Sequence, residues 1–599
     1  MRGEVLAWVV LAVAAAVPAA AAEPRLDGVA AACAIVKLYE SCDITASVKG
    51  RVANPFDESE ARLESTFTPP KGQPVIVGGF YTQPFEQRRA GARETVEPAG
   101  PPVWQVRFTP TVIGRWTFSL ALVTPKGRQT LPAQSFMVVA SGHKGFVRYD
   151  SRARRFQFDT GQPFIPVGEN LCWGPSVGAL ASYDRWLHDL AKARANYIRV
   201  WMAPWLLRLE TKDTGVGHVD LYRAWLLDQL LDESAATGLY WQLVLLNHGS
   251  FSRSQDADWQ NNPYNEALGG PCRSPNDFLT DPRAKALFER LLRYMVNRWG
   301  SSPQLVTWEL FNEADYGEFR FDDLVQWHRQ FSMLLHALDP QRRPVTTSFH
   351  REAAEAVWKL PTIDTVQLHI YDRRDVTEAF REAVPKPAAQ FGKPVFIGEF
   401  GWISDVMRQF DDIGIHVHEG LWAGLMSGAA GTPLIWYWDT YVHPNGIERQ
   451  FRAVEAFWRG EELSAEMQPL RLALSTPELA AVGIGDDHRA FLWVRNRAHS
   501  LDQYIAYRCA VAKQQLREFR GERGAPLRYA PAPVQQAVVT VKGLDPLARY
   551  RVEWWDTYHG RVTARDVQHA EWGRLTLAVP DFRFDLAAKL IKLQWWERG

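Results

Sequence analysis

Two glutamates stand at the ends of apolar stretches and offer a pair of carboxyl groups for acid–base chemistry. Glu313 follows the run 305–311 and Asn312, and Glu399 follows the run 394–398. In such a pair, one carboxylic acid can give a proton to a leaving oxygen while the other, ionised, attacks carbon or activates water. This chemistry requires that the fold bring the two residues together.

The elements that would do so lie between about residues 145 and 460, where apolar strand-like runs alternate with helical stretches. Eight such runs are present: Phe164–Gly168, Tyr197–Trp201, Trp241–Leu246, Leu305–Phe311, Pro344–Ser348, Thr365–Ile370, Pro394–Gly398 and Pro433–Trp438. Eight strands that alternate with helices over roughly 300 residues predict a (β/α)8 TIM barrel. A doubly wound open sheet is the competing architecture.

Two of the intervening helices have clear boundary signals. One begins at Asp281-Pro282, because Asp281 can supply the N-cap oxygen and proline is tolerated in the first turn, and it ends at Gly300. Gly300 is predicted to take the left-handed conformation that ends many helices. A second helix runs from near Asp220 to Gly238.

Active sites of such barrels lie at the C-terminal ends of the strands. The polar and aromatic residues at those predicted ends are Arg199, Trp201, Asn247, His248, Asn312, Glu313, His369, Tyr371, Glu399, Trp436 and Trp438. Strands four and seven lie across the mouth from each other, so their two carboxylates predict glycoside hydrolysis. A carboxyl separation of about 5–5.5 Å would retain the anomeric configuration and about 6.5–9.5 Å would invert it.

The motifs at these ends resemble those of the clan-A glycoside hydrolases. Trp308-Glu309-Leu310-Phe311-Asn312-Glu313 resembles the strand-four signature, and Phe396-Ile397-Gly398-Glu399-Phe400-Gly401 resembles the strand-seven nucleophile segment. The cellulase-like family five of this clan adds an Arg, two His, a Tyr and a Trp, and the matching positions in order are Arg199, His248, His369, Tyr371 and Trp438. The resemblance implies a retaining β-glycosidase that acts on a β-linked glucan, mannan or related glycan without metal or organic cofactor.

It also implies a role for each residue. Glu313 is the acid/base, Glu399 the nucleophile, and Asn312 binds the sugar 2-hydroxyl. Arg199 and Tyr371 favour the ionised form of Glu399. Two histidines position hydroxyls or orient the carboxylates, and one tryptophan stacks against the reactive sugar; these are His248, His369 and Trp438.

Plainer interpretations remain open for several of them. Arg199 can instead neutralise Glu309, which shares strand parity with Glu313, and both histidines can be hydrogen-bonded core residues. Trp436 and Trp438 share parity, so one of them can be packing only, and Trp438 is preferred as the stacking residue. Glu169 and Asp439 have no assigned role.

Alternating segments flank the barrel on both sides. Residues 23–142, with Trp104–Phe108 and Trp116–Leu120, predict an N-terminal Ig-like β-sandwich. Residues 143–465 form the predicted barrel, and residues 466–599, with Phe491–Arg495 and Val538–Val541, predict a C-terminal β-sandwich.

Residues 1–22 read as a cleaved signal peptide, with Arg2, the apolar stretch Val5–Val17 and a small-residue site before Glu23. A secreted or periplasmic protein without membrane insertion is therefore expected. Lys+Arg and Asp+Glu both number 68, and this balance argues against a nucleic-acid partner. The 25 tryptophans suit a protein that stacks indoles on sugars, so the expected partner is an oligo- or polysaccharide. The oligomeric state stays open.

None of the five cysteines stands in a metal-ligand pattern. Cys33–Cys42 is a possible disulfide, Cys172–Cys272 is a weaker possibility, and one cysteine, Cys509 in that arrangement, stays unpaired. Two other functions compete with hydrolysis: a catalytically silent glycan-binding barrel, which the intact carboxylate pair argues against, and a structural surface protein.

Overall fold

The computed structural model describes residues 23–90, 93–350, 354–463, 465–520, 524–594 and 596. The predicted signal peptide, residues 1–22, lies outside the described residues. None of the helices in the described ranges is long and apolar enough to cross a bilayer.

The N-terminal region is built from twelve strands: β1 Arg25–Ala31, β2 Ile35–Lys37, β3 Cys42–Lys49, β4 Arg62–Thr68, β5 Val75–Gly78, β6 Phe80–Thr82, β7 Phe85–Ala90, β8 Arg93–Pro98, β9 Val103–Phe108, β10 Gly114–Thr124, β11 Gly127–Thr130 and β12 Gln134–Val139. One sheet has the order β1-β3-β9-β6 and the other β2-β12-β10-β4-β5, with β11 beside β10. Alternation along β9 and β10 buries Trp104, Val106, Phe108, Trp116 and Phe118 in their common core.

A small antiparallel sheet follows, formed by β13 Val147–Asp150, β14 Arg155–Phe158 and β15 Pro163–Phe164. Phe156, Phe158 and Phe164 pack against Tyr197 and Phe396 at the starts of parallel strands and so cover the N-terminal end of the ladder described next. The predicted first barrel strand, 164–168, is therefore displaced, because Phe164 pairs with Phe156 in this sheet.

The central strands are β16 Gly168–Asn170, β17 Tyr197–Trp201, β18 Tyr240–Asn247, β19 Leu305–Asn312, β20 Val345–Thr346, β21 Ser348–Phe349, β22 Val366–Tyr371 and β23 Val395–Gly401. Parallel pairing joins β16 through β20 in sequence order and β21 through β23 likewise, and β20 and β21 are two parts of the predicted fifth strand. Residues 434–436 close the order, because Leu434 N donates to Ile397 O and Asn170 N donates to Ile435 O. Neighbours along the chain are neighbours in space, as a (β/α)8 barrel requires and a doubly wound sheet does not.

The helices that accompany these strands are α1 Ala179–Lys192, α2 Leu221–Thr237, α3 Asp277–Thr280, α4 Pro282–Trp299, α5 Phe321–Leu338, α6 Glu355–Trp358, α7 Val376–Ala383, α8 Pro385–Phe391, α9 Ser404–Phe410, α10 Ile415–Met426 and α11 Phe451–Trp458. Asp220 and Asp281 cap α2 and α4 with their side-chain oxygens. Gly238 is left-handed with φ 78°, but Gly300 has φ −62°, so the predicted left-handed end of α4 is wrong. Gly300 is needed there because a Cβ would lie 2.5 Å from Val296 O.

The C-terminal region contains β24 Gln468–Pro469, β25 Arg471–Leu474, β26 Leu479–Gly485, β27 Arg489–Asn496, α12 Leu501–Phe519, β28 Val538–Lys542, β29 Arg549–Asp556, β30 Arg561–His569, β31 Arg574–Ala578 and β32 Asp585–Leu593. Its two sheets, β24-β26-β27-β32-β29-β30 and β25-β28-β31, share one apolar core. The helix α12 was not anticipated in this strand-rich segment.

Cys33, in the loop after β1, is disulfide-bonded to Cys42 at the start of β3. Cys172 and Cys272 are buried and free, so the weaker possibility of a bond between them is wrong. Cys172 follows β16 near the axis of the ladder, whereas Cys272 lies in the long segment after β18, where it bridges to Asn265.

Candidate active site

The two glutamates meet at the C-terminal end of the parallel ladder. Glu399 lies within β23, and Glu313 directly follows β19 and begins a short 3-10 turn, Ala314–Tyr316. One carboxylate oxygen of each and a ring nitrogen of His369 all lie within 4.8 Å of one another. Both glutamates are largely buried, with exposed fractions of 8% for Glu313 and 3% for Glu399.

Arg199 is the fully buried centre of the polar network beneath them. Its Nε and Nη2 donate to Glu309 at 2.7 and 2.8 Å, and its Nη1 donates to Glu399 Oε1 at 2.7 Å. Nη2 also donates to Asn312 Oδ1 at 2.7 Å. The Arg199 guanidinium therefore both neutralises Glu309 and donates a hydrogen bond to Glu399, so the two interpretations of this residue do not exclude each other.

Glu399 is the carboxyl group of the pair that accepts the stronger set of hydrogen bonds. Burial raises its pKa, the charge of Arg199 and the Tyr371 hydrogen bond oppose that rise, and the negative charge of Glu313 adds to it. The Tyr371 hydroxyl donates to Glu399 Oε2 at 2.6 Å. Direct donors on both oxygens favour the anion.

Glu313 lies in a different environment. Burial raises its pKa, and the charge of Arg199 opposes this rise without a direct hydrogen bond to Glu313. His369 Nδ1 lies 2.9 Å from Glu313 Oε1, and burial lowers the pKa of His369 to about 4, so this histidine is neutral at ordinary pH. A neutral His369 with its proton on Nδ1 would donate to Glu313 Oε1.

The backbone of Glu313 is left-handed, with φ 46° and ψ 52°. This conformation costs a residue with a Cβ about 1–2 kcal/mol. Glu313 N donates to Ser348 Oγ at 3.1 Å, and Ser348 Oγ in turn donates to Glu309 Oε1 at 2.8 Å. Neighbouring strands thus hold the turn that aims the carboxyl group into the mouth.

His248 and Asn312 form a second hydrogen-bonded chain. Asn312 Nδ2 lies 3.2 Å from His248 Nδ1, and His248 Nε2 lies 2.8 Å from Asp256 Oδ2. Because Nδ1 accepts from the amide, Nε2 carries the proton and donates to Asp256. Arg199 holds the carbonyl oxygen of Asn312, and the amide nitrogen is directed at His248.

Trp438 differs from the prediction. Its side chain is only 1% exposed and packs under Trp173, with ring centroids 4.8 Å apart, so it cannot present a face to a sugar. Trp436, two residues earlier, is partly exposed and contacts Trp173 at 5.5 Å. Trp205 is 45% exposed and extends this aromatic surface.

The structure therefore brings seven predicted residues into one contact network and leaves Trp438 beneath it. The seven are Arg199, His248, Asn312, Glu313, His369, Tyr371 and Glu399. The sequence analysis did not identify Ser348, Tyr316 or His350. Ser348 could have been found, because it lies at the end of the predicted fifth strand. Glu169, left without a role, accepts from His443 at 2.7 Å.

Glu313, His369 and Glu399 are compact enough to be considered as cation ligands. Both Glu399 oxygens already accept hydrogen bonds, from Arg199 and Tyr371, and the Arg199 charge opposes a second cation. The arrangement suits proton transfer and nucleophilic attack better than metal binding.

Two segments of the chain match sequence models of protein families. The sequence model of the cellulase family (glycosyl hydrolase family 5) matches residues 159–426, and a domain of unknown function, DUF5060, matches residues 35–122. A crystal structure of a candidate glycoside hydrolase from Bacteroides vulgatus ATCC 8482 aligns with 93% of this chain and 100% of that chain, with a TM-score of 0.55 at 14% identity, which is a likeness of fold.

Curated relatives are distant. The chain is 24% identical over 220 residues to mannan endo-1,4-β-mannosidase F of Aspergillus fumigatus, which covers 35% of this chain and 48% of that protein. It is 23% identical over 284 residues to mannan endo-1,4-β-mannosidase A of Podospora anserina, which covers 42% and 73%. The chain thus spans about half the length of the Aspergillus relatives, 48% and 56%. Residues 159–426 are thus similar to the cellulase family, glycosyl hydrolase family 5, and a β-rich region that matches DUF5060 precedes them.

Proposed function

We propose that this protein is a secreted retaining β-glycoside hydrolase, with Glu313 as acid/base and Glu399 as nucleophile, on a closed (β/α)8 barrel between two β-sandwiches. The observation that carries the proposal is the separation of at most 4.8 Å between an oxygen of Glu313 and one of Glu399. Retention places the carboxyl groups about 5–5.5 Å apart, whereas inversion places them about 6.5–9.5 Å apart with a water between them. The nearest-oxygen distance fits the closer arrangement.

In the first step Glu399 attacks the anomeric carbon while the bond from that carbon to the leaving oxygen breaks. Glu313 gives its proton to the leaving oxygen, and a covalent glycosyl-enzyme forms. In the second step Glu313, now ionised, takes a proton from water, the water oxygen bonds to the anomeric carbon, and the bond to Glu399 breaks. By its place in the Asn-Glu motif, Asn312 is assigned to the 2-hydroxyl, an interaction that strengthens in the transition state.

The first substrate to test is a β-1,4-mannan, because the curated relatives are named mannan endo-1,4-β-mannosidases. A β-glucan is the second. The catalytically silent glycan-binding barrel is not favoured, since both carboxyl groups and their hydrogen-bond donors are in place.

The test is hydrolysis of mannan and β-glucan by wild type, Glu313→Gln and Glu399→Gln, with NMR detection of the first-formed anomer. We expect a β-anomer from wild type and a loss of about 10⁴-fold or more in Glu399→Gln, which removes the nucleophile. Asp405→Asn, a surface carboxyl in the helix after β23 paired with Arg408, is the matched control and should keep full activity. An α-anomer as first product would rule out retention, and glycan binding without turnover would favour the silent barrel.

Secretion has its own test. Mature protein recovered outside the cytoplasm should begin at Glu23 by N-terminal sequencing. Protein retained in the cytoplasm with residues 1–22 attached would contradict it.

A further inference from the structure

We propose that Tyr316 and His350 form the surface that contacts the leaving sugar, so that this pair selects which aglycone the enzyme accepts. The inference rests on the proposed function and deepens it, since it assigns a side of the same mouth to the departing part of the glycan. Neither residue belongs to the motifs singled out in the sequence.

The first observation is position. Tyr316 ends the 3-10 turn that begins directly after Glu313, and His350 directly follows β21. His350 N donates to Asp315 Oδ1 at 2.8 Å, which ties the loop after the fifth strand to that turn. The two side chains are therefore held on the same backbone unit that carries the acid/base.

The second observation is contact. The rings of Tyr316 and His350 have centroids 4.4 Å apart at an interplanar angle of 31°, and Tyr316 lies 5.4 Å from His248. His350 Nδ1 is 3.9 Å from Glu313 Oε1. The His350 side chain is 42% exposed, and Tyr316 is partly exposed. An aromatic pair with accessible surface thus stands beside the carboxyl group that protonates the leaving oxygen.

The third observation is that different residues line the two sides of the mouth. Trp205, which is exposed, and Trp173 and Trp436, which are partly exposed, lie at the ends of strands two, one and eight. Tyr316 and His350 follow strands four and five. In an eight-stranded barrel these are opposite sides, with the carboxyl pair between them. Because the proton of Glu313 must reach the leaving oxygen, the leaving sugar lies on the Glu313 side, over Tyr316 and His350, and the retained sugars lie over the tryptophans.

The test compares two substrates with the same retained part and different leaving groups. Mannotetraose loses a mannobiose, whereas β-mannobiosyl fluoride loses fluoride, which is too small to contact the pair and needs little acid assistance. For Tyr316→Ala and His350→Ala we expect kcat/KM on mannotetraose to fall about tenfold and kcat/KM on the fluoride to stay within about twofold. The fluoride activity also reports that each variant is folded.

Trp205→Ala is the matched control on the opposite side and should lower kcat/KM on both substrates by the same factor. Equal losses on both substrates in Tyr316→Ala and His350→Ala would overturn the inference, as would no loss on mannotetraose. If wild type hydrolyses neither these substrates nor the corresponding glucose compounds, the proposed function itself fails and the inference falls with it.

Discussion

At the residue scale, the carboxyl groups of Glu313 and Glu399 differ in the hydrogen-bond donors that contact them. Both are buried, yet Glu399 accepts direct hydrogen bonds from Arg199 and Tyr371, whereas the neutral His369 contacts Glu313. Interacting carboxyl groups titrate as a pair, so removing one donor should move one limb of the pH profile more than the other.

Tyr371→Phe should shift the acid limb of kcat/KM to higher pH. The variant loses a donor that opposes the burial-driven rise in the pKa of Glu399, so the nucleophile stays protonated to higher pH. The alkaline limb, where Glu313 loses its proton, should move little. Tyr437→Phe, whose hydroxyl donates to Trp402 O, is the control and should leave the acid limb in place. An unmoved acid limb in Tyr371→Phe would contradict the role of this donor.

Arg199→Met should destabilise the protein by about 3–5 kcal/mol at pH 8, because it leaves buried carboxylates without their cation. Burial raises the pKa of Glu309, but Arg199 outweighs it and the net pKa is lowered, so wild type keeps this stabilisation above the unfolded pKa and loses it as the pH falls. In the variant the unpaired carboxyl groups can protonate, so the stability difference should shrink between pH 8 and pH 5.

Urea unfolding at these pH values measures that difference. Arg408→Met, which removes an exposed ion pair, should cost under about 1 kcal/mol at every pH. A difference for Arg199→Met that grows as the pH falls would disprove the argument.

The residue types at strand ends were predictable, but their depth was not. Trp436 and Trp438 share strand parity, and only the packing of Trp173 decides that Trp438 is covered. Tyr316 and His350 escaped prediction because they follow the strand ends in turns, where no periodicity marks them.

At the element scale, the same residue type ends two helices for different reasons. Gly238 adopts φ 78° with open space around it, whereas Gly300 is right-handed and meets Val296 O. A sequence pattern predicts that a helix ends at a glycine, but it does not show whether a left-handed backbone or a steric contact requires that glycine.

Gly238→Asn should therefore be tolerated, with a loss under about 1 kcal/mol, since asparagine accepts the left-handed conformation. Gly300→Asn should cost about 1–3 kcal/mol, because its Cβ would lie 2.5 Å from a backbone oxygen that cannot move freely. Urea unfolding of both variants at one pH tests the difference, and equal losses would refute it.

Strand order was largely predictable because apolar runs of the right length alternate with capped helices. The first parallel strand lies at 168–170 and not at the predicted 164–168, because a continuous apolar run does not show where one sheet ends and another begins. The helix α12 was missed because only Leu501 and Tyr504 of its residues are buried, so it shows little amphipathic pattern.

At the scale of the whole molecule, buried charges cross both domain boundaries. Arg107 of the N-terminal region donates to Asp228 of α2 at 3.0 Å. Arg495 of β27 donates to Glu419 of α10 at 2.8 Å and to Asp375, the N-cap of α7, at 2.5 Å. The C-terminal region thus holds the helix that follows the Tyr371 strand.

Burial raises the pKa of Glu419 to about 8 despite Arg495. An acid with a folded pKa above its unfolded value makes the folded state bind more protons, so stability falls as pH rises from about 4.5 to about 8. Glu419→Gln should flatten this decline in the free energy of unfolding between pH 5 and pH 8. Glu461→Gln, beside Lys589 at the same boundary, should keep it, and an unchanged slope in Glu419→Gln would contradict the assignment.

The two domain boundaries should respond differently when a terminal region is lost or exchanged during evolution. Asp228 also accepts from Arg298 and Trp299 of its own barrel, so a lineage that lost or exchanged the N-terminal region would leave this carboxylate satisfied. Glu419 takes its hydrogen-bond donor Arg495 from the C-terminal region, so loss of that region would leave this buried carboxyl group without the donor. Exchange of the C-terminal region should therefore cost more stability than exchange of the N-terminal region.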